Sequence, residues 1–106
     1  MAEEEILGHP LVELIRGRSI RGTWNGTPYT QFFGDTGRTA YQAEGAPVEW
    51  GTWHLGDTGN YCSRWERGGL SCYRVFKTGD TYYWEAANGG PRHPFTVHDG
   101  NLVTGG

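Results

Sequence analysis

The chain has 106 residues, of which 36% are hydrophobic, and a formal net charge of −3. This length suits one small domain, and the charge argues against a nucleic-acid-binding surface, which is normally basic. No apolar run reaches the 18 residues typical of a transmembrane helix, so no such segment is predicted. Five Trp, six Tyr and four Phe are the main source of large side chains for a core.

A short helix is predicted near the start of the chain. Pro10 suits the first helical position, and Gly17 suits the position after the helix ends. Between them, Leu11, Leu14 and Ile15 fall on one helical face. We expect this face to plug or cap the core of the domain.

From Arg18 onward, turn-forming sequences recur at intervals of about ten residues, which is typical of an antiparallel sandwich or barrel. They lie at residues 25–26, 34–37, 45–47, 56–59, 67–69, 78–80, 88–91 and 99–100. The sequence therefore predicts an all-β fold: a small, closed, antiparallel up-and-down barrel of about eight strands with a short N-terminal helix. Residues 1–5 are predicted to be a disordered acidic tail, and residues 6–106 to form the single barrel domain.

Alternation along these strands assigns most large aromatic side chains to one inward face. That set comprises Trp24, Tyr41, Trp53, Tyr61, Trp65, Tyr73, Tyr82, Trp84 and Phe95. Gly22 and Gly51 fall on the same face, where the lack of a side chain would let an indole ring lie over a neighbouring backbone.

The two cysteines are predicted to form a disulfide. A hairpin turn centred on Arg67 would place Cys62 and Cys72 directly opposite each other on adjacent strands, on a face that carries charged residues and is expected to face water. Their spacing does not match a Cys-x-x-Cys zinc or redox motif. A reactive thiol pair is the alternative, whereas a structural bridge would indicate an oxidising compartment.

Several short motifs, in this order, resemble a family of small exported proteins of unknown function from Gram-negative bacteria. They are Gly22-Thr23-Trp24, Gly51-Thr52-Trp53, Tyr61-Cys62, Cys72-Tyr73-Arg74-Val75 and Gly79-Asp80-Thr81-Tyr82. The resemblance covers about residues 11–98 and implies a small β fold and a periplasmic or secreted location. It implies no enzymatic activity. No signal peptide is recognised at the start of the sequence, so export would require that one has been removed.

The polar residues do not predict an enzyme, a metal site or a bound cofactor. The four histidines show no metal-binding spacing, and the strand carboxylates Glu49, Glu66 and Glu85 are assigned to outward faces. The aspartates lie in turns, where they hydrogen-bond to their own backbone.

Two binding functions remain, and both depend on the aromatic and arginine residues. In the first, a lipocalin-like barrel holds a small apolar or aromatic ligand at its mouth, although rings that fill the core completely are favoured over a cavity. The candidate ligand-binding residues are Trp53, Tyr61, Trp65, Tyr73, Tyr82 and Trp84.

In the second, the outer surface docks an envelope protein, as an interaction or inhibitor-like module without a ligand cavity. Its candidate residues are Trp50, Arg64 and Arg74. Arg18 and Arg21 could extend them into a basic patch, although such arginines more often pair with nearby carboxylates.

Overall fold

The computed structural model describes residues 3–86 and 89–103, and this part of the chain forms nine β-strands and one short α-helix. In chain order the elements are β1 (Glu4–Glu5), α1 (His9–Ile15), β2 (Arg18–Trp24), β3 (Thr27–Phe33), β4 (Arg38–Ala43), β5 (Glu49–Leu55), β6 (Tyr61–Trp65), β7 (Gly69–Thr78), β8 (Thr81–Ala86) and β9 (Arg92–Asp99). The predicted all-β class and the single short helix are confirmed.

Strands β2 to β9 form a closed antiparallel barrel. Each strand pairs with the next along the chain, and β9 returns to pair with β2, where Ile20 lies opposite Val97 and Gly22 opposite Phe95. This is the eight-stranded up-and-down barrel that the turn spacing predicts. The first hairpin turn has positive φ at both Asn25 and Gly26, as expected for an Asn-Gly turn between tightly twisted strands.

Helix α1 closes one end of the barrel. The backbone N–H of Gly8, just before the helix, donates to the carbonyl of Gly59, and that of Gly17, just after it, donates to the carbonyl of Phe33. Leu11 and Ile15 are completely buried in the core, as the periodicity of the helix predicts. We call this end, with α1 and the β3–β4 and β5–β6 turns, the closed end.

The predicted inward face is confirmed for the large aromatic residues of the barrel. The nine aromatic residues assigned to the inner face are all buried or half-buried, and eight of them belong to one continuous core, while the ninth, Trp65, packs edge-on against Tyr41. Gly51 has the predicted role: a Cβ there would lie 2.8 Å from the indole of Trp65 and 2.5 Å from the carbonyl of Arg64. The ring of Trp65 can therefore lie against the strand backbone at this position.

The prediction of a disordered tail over residues 1–5 is wrong for Glu4 and Glu5, while Met1 and Ala2 lie outside the described residues. Glu4 and Glu5 form β1, which pairs with β7 opposite Lys77 and Phe76. Two effects account for this order. The carboxylate of Glu5 accepts two hydrogen bonds from Arg74, and the next residue, Ile6, is buried in the core.

Cys62 and Cys72 form the predicted disulfide in directly opposite positions of β6 and β7. One detail differs from the prediction. Cys62 lies on the outer face of the barrel but is 3% exposed rather than facing water. The neighbouring turn covers it, with the Asn60 amide nitrogen 3.9 Å from its sulfur.

Candidate binding site

A cavity of about 220 Å³ lies inside the barrel, at the end opposite α1. Residues of the barrel wall and of its rim line the cavity. They are Trp24, Tyr29, Gln31, Tyr41, Glu49, Tyr61, Ser63, Trp65, Gly68, Tyr73 and Trp84. Gly68 lies in the β6–β7 turn, so the cavity reaches the edge of the barrel at what we call the open end. The barrel is therefore filled at its closed end and hollow at its open end, whereas a completely filled core was favoured from the sequence.

Aromatic rings form most of the wall of this cavity. Tyr29 stacks on Tyr41 with 5.2 Å between ring centroids, and Tyr41 meets Trp65 at a steep angle. On the other side Tyr73 packs edge-on against Trp24, at 5.9 Å, and against Trp84, at 6.0 Å. Because Tyr41 and Tyr73 are steeply inclined to their tryptophan neighbours, the rings present faces and edges from several directions around the same space.

Uncharged polar groups form the inner boundary of the cavity. The side-chain nitrogen of Gln31 donates to the hydroxyl of Thr39, at 2.9 Å, and to that of Tyr61, at 3.2 Å. The Thr39 hydroxyl in turn donates to the carbonyl of Phe32. Burial raises the pKa of Tyr61 to about 12, so this phenol is neutral at physiological pH. The network holds Gln31 and Tyr61 in place between the cavity and the filled half of the barrel.

Glu49 stands at the rim of the cavity, and the prediction that it faces outward is wrong. It follows the same alternation as Gly51 on β5 and lies opposite Tyr41 of β4, so it belongs to the inner face. A carboxylate is tolerated there because the rim is open to solvent and Glu49 is exposed. Burial, and secondarily the charge of Glu49, raise the pKa of Tyr41 above its ordinary value.

Four of the six predicted ligand-binding residues line this cavity: Tyr61, Trp65, Tyr73 and Trp84. Trp53 and Tyr82 do not, because both lie nearer the closed end. The indole N–H of Trp53 donates to the carbonyl of Gly34, and Tyr82 stacks on Phe95 at 5.6 Å.

Other lining residues were not among the predicted binding residues. Trp24 and Tyr41 were placed on the inner face, and Tyr29, Gln31 and Ser63 share that face by alternation. Alternation could therefore have found all five. It does not reveal which end of the barrel is hollow.

The predicted surface residues lie on the outer wall in separate environments. Trp50 is half-buried, with the guanidinium of Arg38 4.8 Å from its ring centroid. Arg64 is exposed and lies opposite Leu70, whose exposed fraction is 53%. Arg74 is bound by two carboxylates, those of Glu5 and Glu85.

Arg18 and Arg21 do not join these residues in a free basic patch. Arg18 lies 3.5 Å from the carboxylate of Asp99, and the Nε of Arg21 donates to the hydroxyl of Thr30. Together with the pairing of Arg74, this agrees with the local role expected for such arginines.

Within residues 3–86 and 89–103, no group of three or more His, Cys, Asp or Glu side chains is placed to hold a metal ion. His93 packs on Trp24 with 4.2 Å between ring centroids, and His98 contacts the hydroxyl of Thr96. In the same part of the chain, no helix is long and apolar enough to cross a membrane.

Comparisons of the chain with protein-family models, with curated proteins and with solved structures found no match. The resemblance to small exported proteins therefore stays a prediction based on the order of the motifs.

Proposed function

We propose that this protein is a non-enzymatic binding module that holds a small ligand with apolar or aromatic groups in the open end of its barrel. The observation that carries the proposal is the ring-walled cavity of about 220 Å³. Binding sites for small molecules commonly combine apolar walls with a few fixed polar groups, which here are Gln31, Tyr61 and Ser63. The volume lies below the range of about 300–1,000 Å³ typical of sites for drug-sized molecules, so the ligand is small.

The composition of the cavity lining supports a function without catalysis. Among the described residues, Glu49 is the one carboxylate at the cavity, and no histidine or cysteine lines it. The hydroxyls of Ser63 and Tyr61 also line the cavity, but no histidine among the described lining residues can act as the base that usually activates such a nucleophile.

We also propose that the protein works outside the cytoplasm, in the periplasm or as a secreted protein. The support is the Cys62–Cys72 disulfide, since such bonds persist in oxidising compartments and are rare where thiols are kept reduced.

Paired tryptophan variants test where ligands bind. Trp65 lies on the inner face of β6 and lines the cavity, whereas Trp50 lies on the outer face of β5. Isothermal titration with a panel of indole, p-cresol, 3,3-dimethylbutan-1-ol and choline measures affinity. For any compound that binds, we expect Trp65→Ala to weaken binding about tenfold, because a lost aromatic contact costs about that much in affinity. Trp50→Ala should leave the affinity unchanged.

Two results would contradict the cavity function. One is that no compound of the panel binds the wild-type protein. The other is that Trp50→Ala removes binding while Trp65→Ala does not.

The second candidate function is docking of an envelope protein on the outer wall. It is favoured by the exposure of Leu70 beside Arg64, with Trp50 and Arg38 on the neighbouring strands of the same face. Aromatic and arginine side chains are common at protein interfaces. Trp50→Ala and Leu70→Ser should then weaken capture of an envelope protein, whereas Trp65→Ala should not.

A further inference from the structure

Glu49 is the one charged side chain that lines the cavity within the described part of the chain. It forms no ion pair with any residue of that part. The surface carboxylates Glu3, Glu5 and Glu85, in contrast, are all bound by Arg74 or Arg92. The rim of the cavity thus carries a negative charge for which the described residues supply no ion-pair partner.

The phenols of the cavity add no second charge near neutral pH. Burial raises the pKa of Tyr29, Tyr41 and Tyr61 above the ordinary value for tyrosine. Their rings therefore stay neutral and keep the electron-rich faces that attract cations. Gln31 and Ser63 are uncharged, so the field inside the cavity is set by Glu49 and by the ring faces.

These features discriminate between classes of ligand. An anion would be repelled by Glu49 and would meet no cation among the described residues that line the cavity. A neutral apolar ligand would fit the rings but would cover part of the carboxylate without replacing the water that solvates it. A small organic cation would suit both the carboxylate and the rings, since its charge faces Glu49 while its alkyl groups pack on the surrounding rings.

We infer that the cavity binds a small organic cation of the quaternary or methylated ammonium class, with its charged group between Glu49 and the rings of Trp24, Tyr41, Trp65 and Tyr73. This inference rests on the proposed binding function and adds the chemistry of the ligand. Methylated ammonium groups suit such a site because they donate few or no hydrogen bonds and carry a diffuse charge. Aromatic rings can therefore replace their water shell at low cost.

The test compares two probes of nearly the same shape, choline and its neutral carbon analogue 3,3-dimethylbutan-1-ol. Isothermal titration should show that choline binds at least about tenfold more tightly to the wild-type protein. Glu49→Gln should weaken choline binding about fivefold to tenfold and leave the neutral analogue within about twofold.

Glu44→Gln is the matched control, because Glu44 is an exposed carboxylate in the β4–β5 loop that does not line the cavity. It should leave the affinity for choline within about twofold, since exposed charges outside the site are screened. Thermal unfolding of both variants should match that of the wild type, which excludes misfolding as the reason for lost binding.

The outcomes separate this inference from the proposed function. Equal affinity for the two probes, or unchanged choline binding in Glu49→Gln, overturns the cationic ligand while binding in the cavity stands. Failure of choline, the neutral analogue and both aromatic probes to bind overturns the binding function and this inference together. Tighter binding of choline that Glu44→Gln weakens as much as Glu49→Gln shows attraction by the whole surface and also overturns the assignment to Glu49.

Discussion

Gly51 shows how a single residue shapes the cavity wall. It pairs with Trp65 across β5 and β6, and its missing side chain lets that indole lie against the backbone. The strand loses some propensity with a glycine at this position, since glycine is flexible and packs no side chain. In return, the indole of Trp65 can lie against the barrel wall and leave space inside the barrel.

Replacing Gly51 by alanine should therefore destabilise the protein and disturb the site. The new Cβ would meet the Arg64 carbonyl and the Trp65 ring at distances that force one of them to move. We expect the free energy of unfolding, measured by urea denaturation, to fall by about 1–3 kcal/mol, as for other overpacked cores. Affinity for any cavity ligand should fall as well.

Gly68→Ala is the control for this prediction. A Cβ at Gly68 would lie 3.5 Å from the Cβ of Trp65, which is an ordinary contact, and Gly68 does not have a positive φ. A loss of stability as large as that of Gly51→Ala would show that any added methyl group near Trp65 is harmful. It would contradict the specific role of Gly51.

At the scale of elements, β1 is held to the barrel by charge as well as by pairing. Arg74 donates to both carboxylate oxygens of Glu5, and Arg92 contacts Glu3 and Glu85. The guanidinium groups of Arg74 and Arg92 also lie 4.8 and 4.0 Å from the ring centroid of Phe76. This network crosses from the start of the chain to β7, β8 and β9, so it joins segments that are far apart in sequence.

The order of β1 should depend on pH. The hydrogen bonds from Arg92 and Arg74 lower the pKa of Glu3 and of Glu5 below the ordinary value for glutamate. A carboxylate with a lowered pKa in the folded state stabilises that state above its unfolded pKa, and the contribution is lost as the pH falls through the lowered value. NMR hydrogen-exchange protection of the Ile6 amide, which donates to the carbonyl of Val75, should therefore decrease below about pH 4.

Glu5→Gln provides the comparison for this pH dependence. The variant should show weaker protection of Ile6 at neutral pH and a smaller change on acidification. Protection that is equal in the two proteins at every pH would mean that backbone pairing and burial of Ile6 alone hold β1 in place.

At the scale of the whole molecule, the two ends of the barrel differ in what fills them. Leu11 and Ile15 of α1 seal the closed end together with Phe33 and the buried Trp53. The open end is occupied by larger, partly exposed rings around the cavity. Because closure of the barrel pairs every one of its strands on both sides, space can remain between the rings without exposing a sheet edge.

This division predicts that stability and binding can be altered separately. Ile15→Val removes one methylene at the closed end and should lower the free energy of unfolding by about 1 kcal/mol, measured by urea denaturation. Affinity for a cavity ligand should stay within about twofold of the wild type. A large loss of affinity in Ile15→Val would show that the two ends are coupled.

Local sequence patterns determined much of this fold. Turn residues recurred at even spacing, alternation placed rings on one face, and the positions of Cys62 and Cys72 around a single turn predicted their pairing. Each of these signals depends only on neighbours in the chain or on the partner strand of a hairpin, so the sequence is sufficient to reveal it.

Features that join distant segments were decided by the tertiary structure alone. Strand β1 depends on arginines about 70 and 90 residues away, at positions 74 and 92, and its two residues are too few to show a strand pattern. The hollow end depends on how rings from six strands share one interior, and the rotamers that leave space there cannot be read from alternation. Alternation with Gly51 assigns Glu49 to the inner face, but only the closed barrel shows that its carboxylate lies at the rim of the hollow end beside those rings.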